Sequence, residues 1–280
     1  MSRLYEGYTL TKDQETFFEK YGFFIMKNVL SDTEIKELLK AIEMIWRKYR
    51  SGDSDYLHMF DFFNKNPLFL NLVDHPKILP LILGLLGWNI YMYHAHLDVN
   101  SPIARDNAHG LTWHRDNSRM NHDFKGGRYP LVALKTAYWL SDVSEKDRGN
   151  LYVIPGSHKW DHSEGETIKK DILPSEAIPI LAKSGTVLLF DSRIWHTRSN
   201  NLSQVTRKVL FLGYSYRWLR PRDDAKISPR LLKKASPIQR QLLTRNMGSD
   251  AYVPKDENVP LRALYYKLYP SVSLATAGDF

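Results

Sequence analysis

The chain has 280 residues, with 39 Lys and Arg against 31 Asp and Glu, a formal net charge of +8. Hydrophobic residues make up 43% and charged residues 25%, the balance of a soluble globular protein with room for a large core. There is no cysteine, which excludes disulfides, thiolate catalysis and zinc–thiolate sites.

The start, "MSRLYEGYTLTKDQ", lacks the apolar centre of a secretory signal, and no apolar run is long enough to span a membrane. A cytoplasmic protein is expected. The basic residues are spread along the chain and densest in "RWLRPRDD" and "RLLKKA". No nucleic-acid-binding pattern accompanies them, so a solvated basic face is expected rather than a nucleic acid or membrane partner.

In chain order, Thr11 reads as the cap of a short helix ended by Gly22, and "FFIMKNVL" as a strand. Ser31 caps a second helix over 31–50, whose apolar stripe is Ile35, Leu38, Leu39, Ile42 and Ile45. "HPKILPLILGLLG" is a third, closed by Gly87. From residue 88 the pattern changes to strands over 89–100, 131–143, 150–156, 185–191 and 207–218, separated by Gly and Pro turns. Helical signals return in "SPRLLKKASPIQRQLLTRN". The expectation is one domain over 1–280: helices over 9–87, a β-sandwich core over about 88–220, and a helical extension over 221–280.

The chemistry-bearing stretch is "TWHRDNSRM". In an extended segment, residues i and i+2 point to one side, so His114 and Asp116 can converge on one ion. Two imidazoles and one carboxylate make a facial iron site with open positions. His196, just after the apolar strand "GTVLLFD", is the candidate third ligand. Arg207, at the start of the next strand, is suited to a two-pronged hold on a carboxylate. The H-x-D spacing taken alone is also what a polar loop would give. A rival group, His94, His96 and Asp98, lies on one face of a strand, where it could equally form hydrogen bonds or touch substrate.

Several ordered segments together resemble the phytanoyl-CoA dioxygenase family of iron(II)- and 2-oxoglutarate-dependent oxygenases. They are "WLSDVSEKDRGNLYVIPGSHK", "GTVLLFDSRIWH" and "GWNIYMYH", within a resemblance that runs from about residue 10 to 220. The resemblance implies a mainly β fold with flanking helices, a double-stranded β-helix of the jelly-roll, cupin-like kind. It implies iron(II) on His114, Asp116 and His196, and 2-oxoglutarate with its far carboxylate on Arg207. Dioxygen would be the cosubstrate, with succinate and carbon dioxide released. Because related halogenases lack the carboxylate that Asp116 supplies, the resemblance favours hydroxylation of an unactivated C–H bond. Demethylation, desaturation and ring formation are outcomes of the same cofactor chemistry. Where some members carry Ser two residues after the distal His, this chain has Arg198, with Ser199 next. His158 of "PGSHK" is expected to be a turn residue.

The expected partner is a small metabolite of secondary metabolism, acidic or zwitterionic given the basic balance. Asn117, Arg119, His94 and His96 are the candidate substrate contacts. Trp113 and Trp195 each precede a ligand histidine and so point to the opposite face, as packing residues. The reading from another class is a non-catalytic jelly-roll protein that binds a small molecule.

Overall fold

Thr11 and Gln14 cap each other at the start of helix α1 (Lys12–Tyr21). The Gln14 backbone N–H donates to Thr11 Oγ1 at 3.2 Å, and the Thr11 N–H to Gln14 Oε1 at 3.0 Å. Gly22, at φ +82°, then turns the chain into strand β1 (Phe23–Met26). Ser31 and Glu34 form the same reciprocal box at the start of α2 (Asp32–Tyr49). On that helix Leu38, Ala41, Ile42, Ile45 and Trp46 are buried, at the helical spacing of a single face. Of the expected stripe, Leu38, Ile42 and Ile45 are buried and Ile35 and Leu39 half-buried, and the buried face runs on to Trp46.

The structure, a computed structural model, describes residues 4–52, 54–116, 123, 130–160, 168, 172–245 and 248–273. Its strands continue as β2 (Tyr56–Met59), β3 (Ile90–Asn100), β4 (Ala133–Trp139), β5 (Leu151–Val153), β6 (Ile178–Pro179), β7 (Val187–Asp191), β8 (His196–Arg198) and β9 (Arg207–Tyr216). One sheet has the order β1-β7-β4-β9-β3-β2, and a second the order β6-β5-β8. The described pairings in both are antiparallel, as in β4 on β7 and β5 on β8. This is the jelly-roll sandwich. The strands β2, β6 and β8 have four, two and three residues. They are too short to show a period of two, so the pattern of the sequence did not mark them as strands.

The chain divides into two compact units. The first comprises Thr16–Met59 and His96–Phe211. Its core joins Ala137 and Trp139 of β4, Leu188 and Phe190 of β7, Val153 of β5, and Val209 and Phe211 of β9. The second comprises the residues up to Glu15, Phe60–Ala95 and those from Leu212 on. Here helix Leu79–Leu86 ends on Gly87 at φ +76°, as its sequence predicts. The expected C-terminal helix over 228–246 is broken into Pro229–Leu232 and Pro237–Leu243, because Ser236 caps a new helix with Pro237 in its first turn. Helix Pro260–Leu268 follows, and the Leu261 N–H donates to Gln241 Oε1 at 3.0 Å. No helix among the described residues is long and apolar enough to cross a membrane.

Candidate metal centre

A two-residue antiparallel bridge holds His114 against His196. Each backbone N–H donates to the other's carbonyl at 2.9 Å. Residues paired in this way project side chains to the same face. The imidazole centroids are accordingly 4.2 Å apart. Asp116, two residues beyond His114, reaches the same point. One ligand atom from each of His114, Asp116 and His196 lies within 4.8 Å of the other two.

The proton positions on the two rings follow from their partners. His114 Nδ1 lies 3.1 Å from the Thr112 carbonyl oxygen, and His196 Nδ1 lies 2.9 Å from that of Ile194. A carbonyl oxygen only accepts, so each Nδ1 carries the hydrogen and each Nε2 offers its lone pair. That is the tautomer a metal-binding histidine needs, with the other nitrogen tied to a backbone oxygen. Burial, and then the neighbouring His114 ring, lowers the pKa of His196 to about 3. The imidazole is therefore neutral near pH 7, as a ligand must be. Asp116 is fully buried, and its Oδ2 lies 4.0 Å from His196 Nε2. Two imidazoles and one buried carboxylate form a donor set that fits a divalent iron ion.

Trp113 and Trp195 sit on the opposite side in a small apolar cluster with Tyr152 and Ile154. The Arg115 guanidinium lies 4.6 Å from the Trp195 ring centre. Both tryptophans thus pack, as their place beside His114 and His196 predicts.

Arg207 is 1% exposed at the start of β9. Its Nη1 donates to Asn100 Oδ1 at 2.8 Å and lies 3.8 Å from Asp98 Oδ2. Its Nε is buried and makes no hydrogen bond among the described residues. Burial lowers its pKa to about 10, so the group remains a cation at neutral pH. A buried guanidinium with an orphaned N–H fits a carboxylate ligand such as the far end of 2-oxoglutarate. Gly149, at φ +69°, makes room for it, since a Cβ there would lie 2.7 Å from Arg207 Cδ.

The rival run on β3 separates. His94 belongs to the second unit, where its Nδ1 bonds Asp223 Oδ2 at 2.9 Å and Arg245 also pairs with Asp223. His96 and Asp98 instead join His58 of β2, which pairs opposite Asp98 in the register. His58 Nδ1 is 2.6 Å from Asp98 Oδ1, and the Tyr56 hydroxyl is 3.3 Å from the same oxygen. Burial alone would raise the Asp98 pKa. The His58 hydrogen bond and the charges of His96 and Arg207 instead hold it well below the usual carboxylate range. His96 is stacked on Phe211 at 4.6 Å. Asp98 is thus partnered by the His58 hydrogen bond, with Arg207 and His96 3.8 and 3.9 Å from its other oxygen. Tyr56, His58 and Asn100 were not singled out in the sequence; the short β2 that brings the first two to β3 left no signal.

Arg198 does not follow the serine pattern of some relatives. Its guanidinium lies 5.2 Å from the Tyr56 ring centre, and the residue lines a cavity of about 260 Å³ with Asn100, Gly149 and Asn200. His158 Nε2 bonds the Glu19 carbonyl oxygen at 3.0 Å, tying the "PGSH" turn to α1. Asn117 and Arg119 lie outside the described residues.

Residues 18–209 match the phytanoyl-CoA dioxygenase (PhyH) family. The chain is 24% identical over 260 residues to "Dioxygenase af480" of Aspergillus fumigatus, covering 88% of this chain and 80% of that protein. It is 27% identical over 236 residues to an L-proline trans-4-hydroxylase of Streptomyces griseoviridis, covering 72% and 85%. Among solved structures, HygX from Streptomyces hygroscopicus with nickel and 2-oxoglutarate bound superposes with a TM-score of 0.64 at 17% identity, covering 79% of this chain and 93% of that one.

Proposed function

The chain belongs to the phytanoyl-CoA dioxygenase family, and we propose that it is an iron(II)- and 2-oxoglutarate-dependent oxygenase that hydroxylates an unactivated C–H bond of a small metabolite. The observation that carries this reading is the bridge between His114 and His196, with one ring nitrogen of each within 4.8 Å of an Asp116 oxygen. His114, Asp116 and His196 would hold the iron, and Arg207 the far carboxylate of 2-oxoglutarate.

Bound together, iron(II) and 2-oxoglutarate supply the oxidation, in which 2-oxoglutarate and dioxygen give succinate and carbon dioxide and one oxygen atom enters the substrate. The protein's part is positional. The backbone bridge fixes the spacing of the two imidazoles, and the carbonyls of Thr112 and Ile194 fix their tautomers. Asn100 orients the Arg207 guanidinium from one side, leaving its Nε for a ligand. The apolar side chains of Phe190, against the His196 ring, and Phe211, beside the Arg207 guanidinium, keep bulk water from those two groups. Asp116 occupies the anionic position of the ligand set, which favours hydroxylation over halide transfer.

The substrate is proposed to be an acidic or zwitterionic metabolite of secondary metabolism, handled in the cytoplasm. The net charge of +8 supports the charge class. The antibiotic-related solved structure HygX with hygromycin B bound supports the metabolic class. His96, buried and stacked on Phe211, is the substrate contact we retain. His94 belongs to the second unit, where Asp223 holds its Nδ1. Asn117 and Arg119, next along the chain from Asp116, are further proposed contacts.

Anaerobic iron(II) with 2-oxoglutarate should give the protein a weak visible charge-transfer band. Aerobic turnover against a metabolite panel should release succinate. A wild-type protein showing neither would be a small-molecule binding jelly roll without this activity.

A further inference from the structure

Strand β4 reads "ALKTAYW" and is buried along its whole length, yet it carries a lysine. Alternation places Lys135 on the same face as Ala137 and Trp139, which are core residues. Its side chain is 6% exposed. An ammonium buried this deeply needs a counter-charge. It finds one in Asp116: Lys135 Nζ lies 3.0 Å from Asp116 Oδ2. That oxygen is also the one measured at 4.0 Å from His196 Nε2, so it faces the point where the three ligand atoms converge. The lysine therefore holds the oxygen that a metal would take.

A second relation places the ammonium close to the proposed carboxylate site. Lys135 Nζ lies 5.2 Å from the Phe211 ring centre, and Arg207 Cζ lies 5.8 Å from it. Two buried cations, from β4 and β9, thus flank one aromatic ring, one at the metal ligands and one at the proposed carboxylate site.

We propose that Lys135 competes with the metal ion for Asp116 and, once displaced, binds a carboxylate of the dicarboxylate cosubstrate. The proposal rests on the metal reading of His114, Asp116 and His196. In the metal-free protein the anion at the ammonium is Asp116; in the loaded protein it is the ligand. Metal entry then strands a cation beside a cation until an anion arrives. Metal and 2-oxoglutarate bind cooperatively for this reason, and by linkage each raises the other's affinity by the same factor.

The test is Ni(II) titration of the metal-free full chain, without and with 2-oxoglutarate, in wild type, Lys135→Met and Lys135→Arg. Without 2-oxoglutarate, Lys135→Met should bind Ni(II) at least about tenfold more tightly than wild type, because no ion pair has to be broken and no like charge is left beside the metal. Adding 2-oxoglutarate should raise Ni(II) affinity much more in wild type than in Lys135→Met, and Lys135→Arg should behave as wild type. Equal or weaker Ni(II) binding by Lys135→Met, or the same gain from 2-oxoglutarate in both, overturns the proposal. Lysine-labelled wild type gives a measurement that does not depend on the methionine variant folding. The Lys135 side-chain carbon resonance, assigned with Lys135→Arg, should shift on adding Zn(II) alone, and a resonance that stays in place overturns the proposal. Binding lost in His196→Ala but unaltered in Lys135→Met overturns this inference and leaves the metal reading standing. A wild type that binds no Ni(II) overturns the metal reading itself.

Discussion

His114 and His196 are joined by backbone before they are joined by anything else: each N–H donates to the other's carbonyl at 2.9 Å. The two imidazoles are thus placed by a rigid element and do not depend on a metal to bring them together. Replacing either with Ala should leave the fold intact, since the bridge uses no side-chain atom, and should remove metal binding. Thermal melts with Ni(II) check this. At a metal concentration of about 100 times Kd, wild type should gain about 2.7 kcal/mol of stability and His196→Ala nothing.

Gly149 and Arg207 form a coupled pair. At φ +69° and with a Cβ position 2.7 Å from Arg207 Cδ, Gly149→Ala must strain the turn and push the guanidinium. The variant should lose about 1–3 kcal/mol of stability and raise KM for 2-oxoglutarate. Succinate release under varied 2-oxoglutarate reads the second effect. If KM is unchanged in a folded variant, Arg207 does not hold the cosubstrate.

Direct replacement of Arg207 tests the same site from the other side. Arg207→Lys keeps a charge but loses the planar fork that reaches Asn100 while offering Nε. Affinity for 2-oxoglutarate should fall by about tenfold to a hundredfold, the loss of a charge-assisted hydrogen bond. Equilibrium titration of the Ni(II)-loaded protein would show it.

Asp223 sets an acid limit. Burial would raise its pKa, but hydrogen bonds from His94 and Arg245 hold it well below the usual carboxylate range. A carboxyl depressed in the folded state contributes stability above its unfolded pKa of about 3.9, and loses it as pH falls toward the folded value. Asp223→Asn should therefore destabilise the protein by about 2 kcal/mol near pH 7. The gap should narrow once the pH falls below about 3.9. Melting curves of both proteins across that range decide it; a gap that widens in acid would contradict the sign.

His158 provides the contrast. It ties the "PGSH" turn to the Glu19 carbonyl oxygen and lies outside the metal cluster. His158→Ala should cost about 1 kcal/mol of stability and leave Ni(II) affinity unchanged. A loss of metal binding in the folded variant would mean that His158 is a ligand after all.

Much of this was legible in the sequence because the residues concerned announce themselves locally. Ser31 with Glu34, Thr11 with Gln14, and the glycines at 22 and 87 carry their structural reason within a few residues. The H-x-D spacing and the distance from His196 to Arg207 are also local, and the structure brings His114, Asp116 and His196 together. What escaped depends on strand pairing. His58 reaches Asp98 only because Tyr56–Met59 is a four-residue strand laid on β3, and such a strand has too few residues to show alternation. Lys135 did leave a signal, as the one charged residue in a seven-residue buried strand. Its significance came only with the register that sets it against Asp116. The grouping of His94 with His96 failed for the same reason: two residues on one strand face can meet different partners further along a twisted sheet.

On the proposed reading, His114, Asp116 and His196 hold the metal, while His58, His96 and Asp98, with His58 hydrogen-bonded to Asp98, hold none. A crystal structure of the protein with Ni(II) and 2-oxoglutarate, with the metal located by its anomalous scattering, tests it most directly. One nickel should be bound by His114 Nε2, His196 Nε2 and an Asp116 oxygen, with the dicarboxylate reaching Arg207. Nickel bound instead by His58, His96 and Asp98, with the His114 cluster empty, would contradict it.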